Sequence, residues 1–138
     1  MMISTKGRYA LRVMLDLAAE DSGFFLSLKD VAQRQDISVK YLEAIMAMLN
    51  RAGLVRSQRG KVGGYQLSRP AAQITVEQIL RCTEGSLSPV SCPSLEGTPC
   101  VRAGDCLTLP LWQALDRRIN GYLSTVSLED VLLGKIKD

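Results

Sequence analysis

Three cysteines, Cys92, Cys100 and Cys106, stand in the stretch SCPSLEGTPCVRAGDCLTLPLW, residues 91–112. Seven residues separate the first pair and five the second. Pro93, Gly97, Pro99 and Gly104 keep most of this stretch out of helix and strand. A long irregular loop is uncommon in a small protein unless it has a job. Three thiols in such a loop suggest one, because a bound metal or cluster would order it. The fourth cysteine, Cys82, falls in a predicted helix and reads as core packing, since free cysteine is among the most buried residue types. There is no histidine, which closes off many catalytic and metal-binding arrangements. A thiol redox enzyme would want a Cys-x-x-Cys pair or a base-activated cysteine. Neither is present, and no catalytic constellation can be assembled, so the chain is not expected to be an enzyme. A structural zinc held by four thiolates, Cys82 included, is the metal alternative, although the spacing lacks the usual two close pairs.

The elements that position this loop begin with a chain of 138 residues, which bounds the fold to one domain, or one domain with an extension. Apolar residues make up 46%, ordinary for a globular core, and the net charge of +3 is mild but unevenly placed. Residues 1–15 carry Lys6, Arg8 and Arg12 and no acid; residues 51–70 carry Arg51, Arg56, Arg59, Lys61 and Arg69, again with no acid. Local basic surface of this kind suits a polyanion. Asp16, Glu20 and Asp21 interrupt the N-terminal apolar run before a secretory signal could complete. No segment approaches the ~20 apolar residues of a membrane span. The expected location is cytoplasmic, where thiols stay reduced and cysteines serve metal or redox chemistry more often than disulfides.

Residues 5–19 predict a broad-faced helix on Ala10, Met14, Leu17 and Ala18, widened by Leu11, Val13 and Leu15, with Gly23 ending the segment. Residues 27–55 predict two more. Ser27 with Asp30 makes a start resembling a capping box, and Leu28, Val31 and Ala32 form a short amphipathic turn. Gln35, Asp36 and Ile37 make a tight turn; Ser38 caps a helix whose core face is Leu42, Ile45, Met46 and Leu49, closed by Gly53. This is the helix-turn-helix pattern. Lys40, Tyr41, Glu43, Ala44 and Ala47 lie off the apolar stripe. They offer a cation for phosphate, polar tips for base edges, and small residues that let the backbone approach a major groove. Residues 54–58 and 65–68 predict paired strands around RGKVGG, where Arg59 and Lys61 project from a glycine-rich tip. A basic hairpin directly after a helix pair is the winged-helix arrangement, and its cations suit a narrow minor groove. Residues 75–84 predict a helix capped by Thr75 and Gln78. Asp105 or Thr108 is expected to cap a long helix with Pro110 in its first turn. Its stripe of Leu111, Leu115, Ile119 and Tyr122, flanked by Trp112 and Leu123, is expected to bury against a symmetry mate. Ser127 with Asp130 caps a last short helix over 128–133.

The segments ISTKGRYALRVMLDLA, ISVKYLEAIMAMLNRAGLVRSQRGKVGGYQL and CLTLPLW resemble a family of bacterial winged-helix repressors that includes the iron–sulfur regulator IscR, the nitric-oxide sensor NsrR and the cysteine-metabolism repressor CymR. The resemblance runs over nearly the whole chain. It implies a homodimer on a palindromic DNA operator, with an iron–sulfur cluster in the loop before the dimer helix. Cys92, Cys100 and Cys106 match the cysteine ligands of cluster-bearing members, whereas CymR-like members lack them. NsrR-like members place an aspartate ligand near the start of the first helix, where this chain has Arg8, as IscR-like members do. That body favours 2Fe–2S over 4Fe–4S. One departure stands out: IscR-like members carry a histidine ligand three residues after the third cysteine, and here that position is Leu109. Cys82, Asp105, Glu43, a residue of the partner subunit, or an exogenous thiol or water are the candidates for a fourth ligand, and a weak one would leave the cluster labile.

The expected architecture is therefore mainly α with a small β-hairpin. Residues 1–85 form a winged helix-turn-helix DNA-binding domain, 86–108 a cluster-binding loop, and 109–138 a dimerisation helix with a short C-terminal helix. The expected function is a cluster-regulated transcriptional repressor, controlling iron–sulfur assembly genes as such families do. Lys6, Arg8, Ser38, Lys40, Tyr41, Glu43, Arg59 and Lys61 are its DNA-facing residues.

Overall fold

The apolar positions of residues 5–19 form one helix, and most other elements pack on it. In this computed structural model, which describes residues 3–20, 23–61 and 63–138, α1 spans Thr5–Ala19. Asp21 and Val62 lie outside the described residues. Ser4 starts the helix, its hydroxyl accepting the Gly7 N–H at 3.0 Å. Ala10, Val13 and Met14 are fully buried and Leu17 and Ala18 nearly so. The helix stops at a C-cap on Glu20, ahead of the breaker expected at Gly23.

Helices α2 (Leu28–Gln35) and α3 (Val39–Arg51) follow. Each has its serine cap: Ser27 accepts the Asp30 N–H and Ser38 the Tyr41 N–H. Between them Asp36 takes a left-handed conformation at φ +53°, and its N–H caps the end of α2. Val31, Ala32, Leu42, Ile45, Met46 and Leu49 join the buried face of α1 in one core, with Ile37 at its margin. The helix-turn-helix is thus formed as the periodicity requires.

Strands β1 (Val55–Gln58) and β2 (Gly64–Leu67) pair antiparallel, Val55 opposite Leu67 and Gln58 opposite Gly64. On the other side of β2, Leu26 and Tyr65 exchange two backbone hydrogen bonds of 2.8 Å. This close crossing sets the residue at the start of β2. Gly64 has φ +153°, and a Cβ there would run into the Leu26 carbonyl, so only glycine fits.

After a 3-10 turn at Ala71–Gln73, α4 (Val76–Glu84) begins with the reciprocal capping box of Thr75 and Gln78. A second 3-10 turn, Pro93–Glu96, lies in the loop to α5 (Leu109–Thr125). The last helix, α6 (Leu128–Leu132), has its own box of Ser127 and Asp130. The cap expected for α5 differs. Thr108 occupies the N-cap position, but its hydroxyl makes no capping bond and lies 3.4 Å from the Cys106 sulfur. Asp105 belongs to the preceding turn, its N–H donating to the Arg102 carbonyl.

Two backbone hydrogen bonds close the base of α5. Val76 N–H donates to the Val126 carbonyl at 2.9 Å, and Leu128 N–H to the Ile74 carbonyl at 2.8 Å. The chain leaves the core after α4, runs out through the loop, and returns along α5. Leu128 is then fully buried in the same core as α1 and α3. Val76, Leu80, Leu87 and Val126 make a second, smaller core with Leu11 and Leu123 at its edge.

The N-terminus of α1 sits against the end of α4. Glu84 Oε1 accepts from the Ser4 N–H at 3.0 Å and the Ser4 hydroxyl at 2.6 Å, placing a carboxylate at the positive end of α1. The approach is possible because residue 7 has no side chain: a Cβ there would strike Glu84 Oε1 and press on Ile3 and Thr83. Alanine favours a helix over glycine by about 1 kcal/mol, yet here it would displace the carboxylate from Ser4. Gly7→Ala should therefore lower stability by about 1–2 kcal/mol, the scale of lost hydrogen bonds to a charged group less the helix gain. In a Glu84→Ala background the same substitution should cost much less or turn neutral. Urea unfolding of the four proteins in this cycle measures the difference.

Candidate functional site

Helix α3 carries its apolar stripe into the core and leaves the opposite face in solvent. Ser38, Lys40, Glu43, Ala44 and Ala47 are exposed. Ser38 spends one lone pair on its cap bond to Tyr41 N–H, which leaves the hydroxyl proton free to donate. Tyr41 is half-buried, and its ring meets the edge of Tyr9 on α1, with centroids 5.9 Å apart and planes at 86°. That contact was invisible in the sequence, because the two tyrosines are distant along the chain. On the wing, Arg59 and Lys61 are exposed. At the start of α1, Arg8 is exposed and Lys6 partly so. None of these five cations has an acidic partner among the described residues, where the ion pairs are Arg34 with Asp16 and Arg81 with Glu77. Unpaired cations on an exposed helix face and a hairpin tip form a surface for a polyanion.

The cysteine loop is made of turns. Its backbone bonds are short-range: Thr98 N–H to Pro93 O, Ala103 N–H to Cys100 O, Asp105 N–H to Arg102 O. Cys92, Cys100 and Cys106 are all half-buried, free thiols. No three Cys, Asp or Glu side chains gather closely enough to hold a metal ion among the described residues. The donor set itself suits iron or an iron–sulfur cluster, which take thiolates readily. Turn bonds and one short 3-10 helix hold the segment that carries the three thiols, which lies outside the α-helices and the β ladder.

Leu109 is buried in the first turn of α5, so the position of the missing histidine faces inward as packing. The other fourth-ligand candidates sit in different surroundings. Cys82 packs at the margin of the main core, Glu43 is exposed on α3, and Asp105 is exposed in the turn before Cys106.

Two thiols are pushed in opposite directions. Burial raises Cys82 above the usual thiol range, against a smaller opposing pull from Arg51. Cys106 is lowered, chiefly by hydrogen bonding from the Thr108 hydroxyl, then by the N–H groups of Thr108 and Leu109, with Arg102 adding a smaller pull. A thiolate at the start of a helix is stabilised by the N–H groups gathered there.

Helix α5 buries one residue of its own, Leu109. Leu111, Leu115 and Tyr122 remain 58%, 38% and 44% exposed, so these three side chains lack a full cover among the described residues. Arg81 on α4 reaches across to α5, donating to Asn120 Oδ1, and Asn120 in turn donates to Asp116. No helix among the described residues is long and apolar enough to cross a membrane.

Comparison with known proteins gives a consistent picture. A family model described as Rrf2, iron-dependent transcriptional regulator, matches residues 3–133. The HTH-type transcriptional regulator IscR of Photorhabdus laumondii is 39% identical over 132 residues, covering 96% of this chain and 79% of that protein. CymR, the global cysteine regulator of B. subtilis, aligns in structure with a TM-score of 0.78 and 35% identity, covering 100% of this chain and 99% of its own. IscR of T. potens aligns with a TM-score of 0.76 and 35% identity, covering 99% and 90%.

The opposed thiol environments have a direct readout. Alkylation by iodoacetamide follows the thiolate fraction. The pH–rate midpoint for Cys106 should fall below that of an ordinary thiol and that for Cys82 above it. At neutral pH Cys106 should be modified first, as followed by mass spectrometry of peptides from the metal-free protein.

Proposed function

The chain belongs to the Rrf2 family of helix-turn-helix transcriptional regulators, and on that premise we propose that it is a homodimeric, cytoplasmic repressor whose grip on a palindromic operator depends on an iron–sulfur centre. The observation that carries the DNA half is the exposed, unpaired basic surface of α3 and the wing. Residues 1–85 read the operator, 86–108 sense, and 109–138 assemble the dimer. Lys40 and Lys6 neutralise phosphates, with Arg8 beside them. Ser38, Tyr41 and Glu43 face base edges in the major groove, Glu43 accepting from a cytosine amino group. Arg59 and Lys61 lie along the minor groove. Two copies of α5 bury Leu111, Leu115 and Tyr122 against each other and set the half-sites near one or two helical turns, about 34–36 Å per turn.

The sensing half rests on the three loop cysteines and on the IscR relatives. Cys92, Cys100 and Cys106 hold the centre, with 2Fe–2S favoured. When bound, it supplies a fixed link between three thiolates that are otherwise free. Ligated, the loop is fixed against the first turn of α5; unligated, it relaxes, and the two reading heads change their relative tilt. The regulated genes are those of iron–sulfur assembly. A second reading, control of cysteine metabolism, is favoured by the backbone likeness to CymR. The thiol-rich loop weighs against it, as the packed position of Cys82 weighs against a four-thiolate zinc.

Arg59→Ala should weaken operator binding by about 1–3 kcal/mol if the guanidinium reads base edges. A phosphate contact would instead lower affinity for all sequences and make the salt dependence shallower by about one unit of slope. Binding isotherms at several salt concentrations separate these, and no change in either would remove the wing from the mechanism. Protein purified without oxygen should contain iron and sulfide and absorb in the visible. Alanine at Cys92, Cys100 or Cys106 should abolish that absorbance, and Cys82→Ala should leave it. Zinc without sulfide, or metal-free protein that binds DNA as tightly as the loaded form, would defeat the sensing half and leave a plain repressor.

A further inference from the structure

Helix α1 holds the turn of the helix-turn-helix from both sides. At the end of α2, Arg12 Nε–H donates to Gln35 Oε1 at 3.1 Å, and Arg12 Nη2 donates to the Gln35 carbonyl at 3.2 Å. The Arg12 guanidinium lies 4.9 Å from the centroid of the Tyr9 ring, and the Tyr9 ring meets Tyr41 in the first turn of α3. Tyr9 and Arg12 are neighbours on one face of α1, at i and i+3. Gln35, Arg12, Tyr9 and Tyr41 thus form a non-covalent bridge that spans the turn from the end of one helix to the start of the next. Asp16 braces it from below, accepting from Arg34 Nε at 3.0 Å and from Gln35 Nε2 at 3.2 Å.

From this geometry we infer that Arg12 and Tyr9 are positioning residues for DNA recognition: they set the pitch of α3 without touching DNA. The deduction rests on the DNA-binding reading above and deepens it. Three features carry it. The Arg12 fork is committed to Gln35 and to the Tyr9 face, unlike Arg59 and Lys61, which have no such partner among the described residues. The bridge meets α3 at Tyr41, beside the exposed Lys40 and Glu43, so a change in pitch moves the residues nearest the bases. The turn it spans already contains the left-handed Asp36, a conformation uncommon outside glycine and asparagine or aspartate, so backbone geometry there needs side-chain support.

Such a role separates cleanly from a phosphate contact. A positioning residue affects the bound complex only where base edges must be met, whereas a phosphate contact acts on every sequence alike. The test uses the full chain, a duplex that it selects from a random pool, and poly(dI-dC) as the non-specific duplex. Arg12→Ala and Tyr9→Leu should each weaken binding to the selected duplex by about ten-fold, the scale of one mismatched base pair. Affinity for poly(dI-dC) and the salt slope on it should stay unchanged. Tyr9→Phe keeps the ring and should bind as the unaltered protein does; Arg12→Lys loses the fork and should behave like Arg12→Ala. Circular dichroism melts identify any variant that fails to fold, and the Tyr9→Phe and Arg12→Lys pair carries the test in that event. Equal weakening on both duplexes with a shallower salt slope would make Arg12 a phosphate contact and overturn the assignment. Unchanged binding to the selected duplex would overturn it as well. If the unaltered chain enriches no sequence from the pool, the DNA reading itself falls and takes this inference with it.

Discussion

Two backbone hydrogen bonds, Val76 N–H to Val126 O and Leu128 N–H to Ile74 O, make the arrangement of this protein possible. They bring the end of α5 back to the start of α4. Without that clasp, α5 would be a tail with one free end. With it, both ends of the excursion from residue 85 to residue 125 are tied to the core that carries α3. Buried backbone groups must find partners, and the clasp supplies them at the seam between the two clusters of apolar side chains.

From that constraint the shape of the functional surfaces follows. Because α6 returns to the core, Leu128 fills space between the elements around α1 rather than extending the arm. The arm's own apolar stripe, Leu111, Leu115 and Tyr122, is left outside. The cysteine loop hangs between two anchored helices, held by turn bonds and by the start of α5, where the Thr108 hydroxyl and the N–H groups of Thr108 and Leu109 favour a thiolate at Cys106. The ends of that loop run directly into α4 and α5. The polar link from Arg81 to Asn120 and Asp116 gives α4 and α5 a side-chain connection as well as a backbone one.

Helix α1 does two different jobs on its two sides. Its apolar side is the floor of the core, with Ala10, Val13 and Met14 fully buried. Its polar side carries Tyr9, Arg12 and Asp16, which engage α2 and α3 around the turn. At its N-terminus, Glu84 from α4 occupies the position that a capping anion favours. One helix therefore joins the reading pair to the element that leads into the cysteine loop. Coupling between distant sites needs such contiguous, packed elements.

The sequence alone determined the local pieces. Ser27, Ser38, Thr75 and Ser127 cap helices at the positions their types and spacing require. The core stripe of α3 is buried as the helical period dictates, and the glycine-rich tip joins two strands. These features depend on residues within one or two turns of each other, so a linear pattern encodes them. Tertiary structure decided the rest. The hydroxyl of Thr108 turns to Cys106 instead of capping α5, because a neighbouring sulfur competes for it. Tyr41 is held by Tyr9, Gln35 by Arg12, and Gly7 leaves room for Glu84, which arrives from the end of α4. The last three of these contacts join residues more than twenty positions apart, and no periodicity in the chain records which side chains meet once the helices have packed.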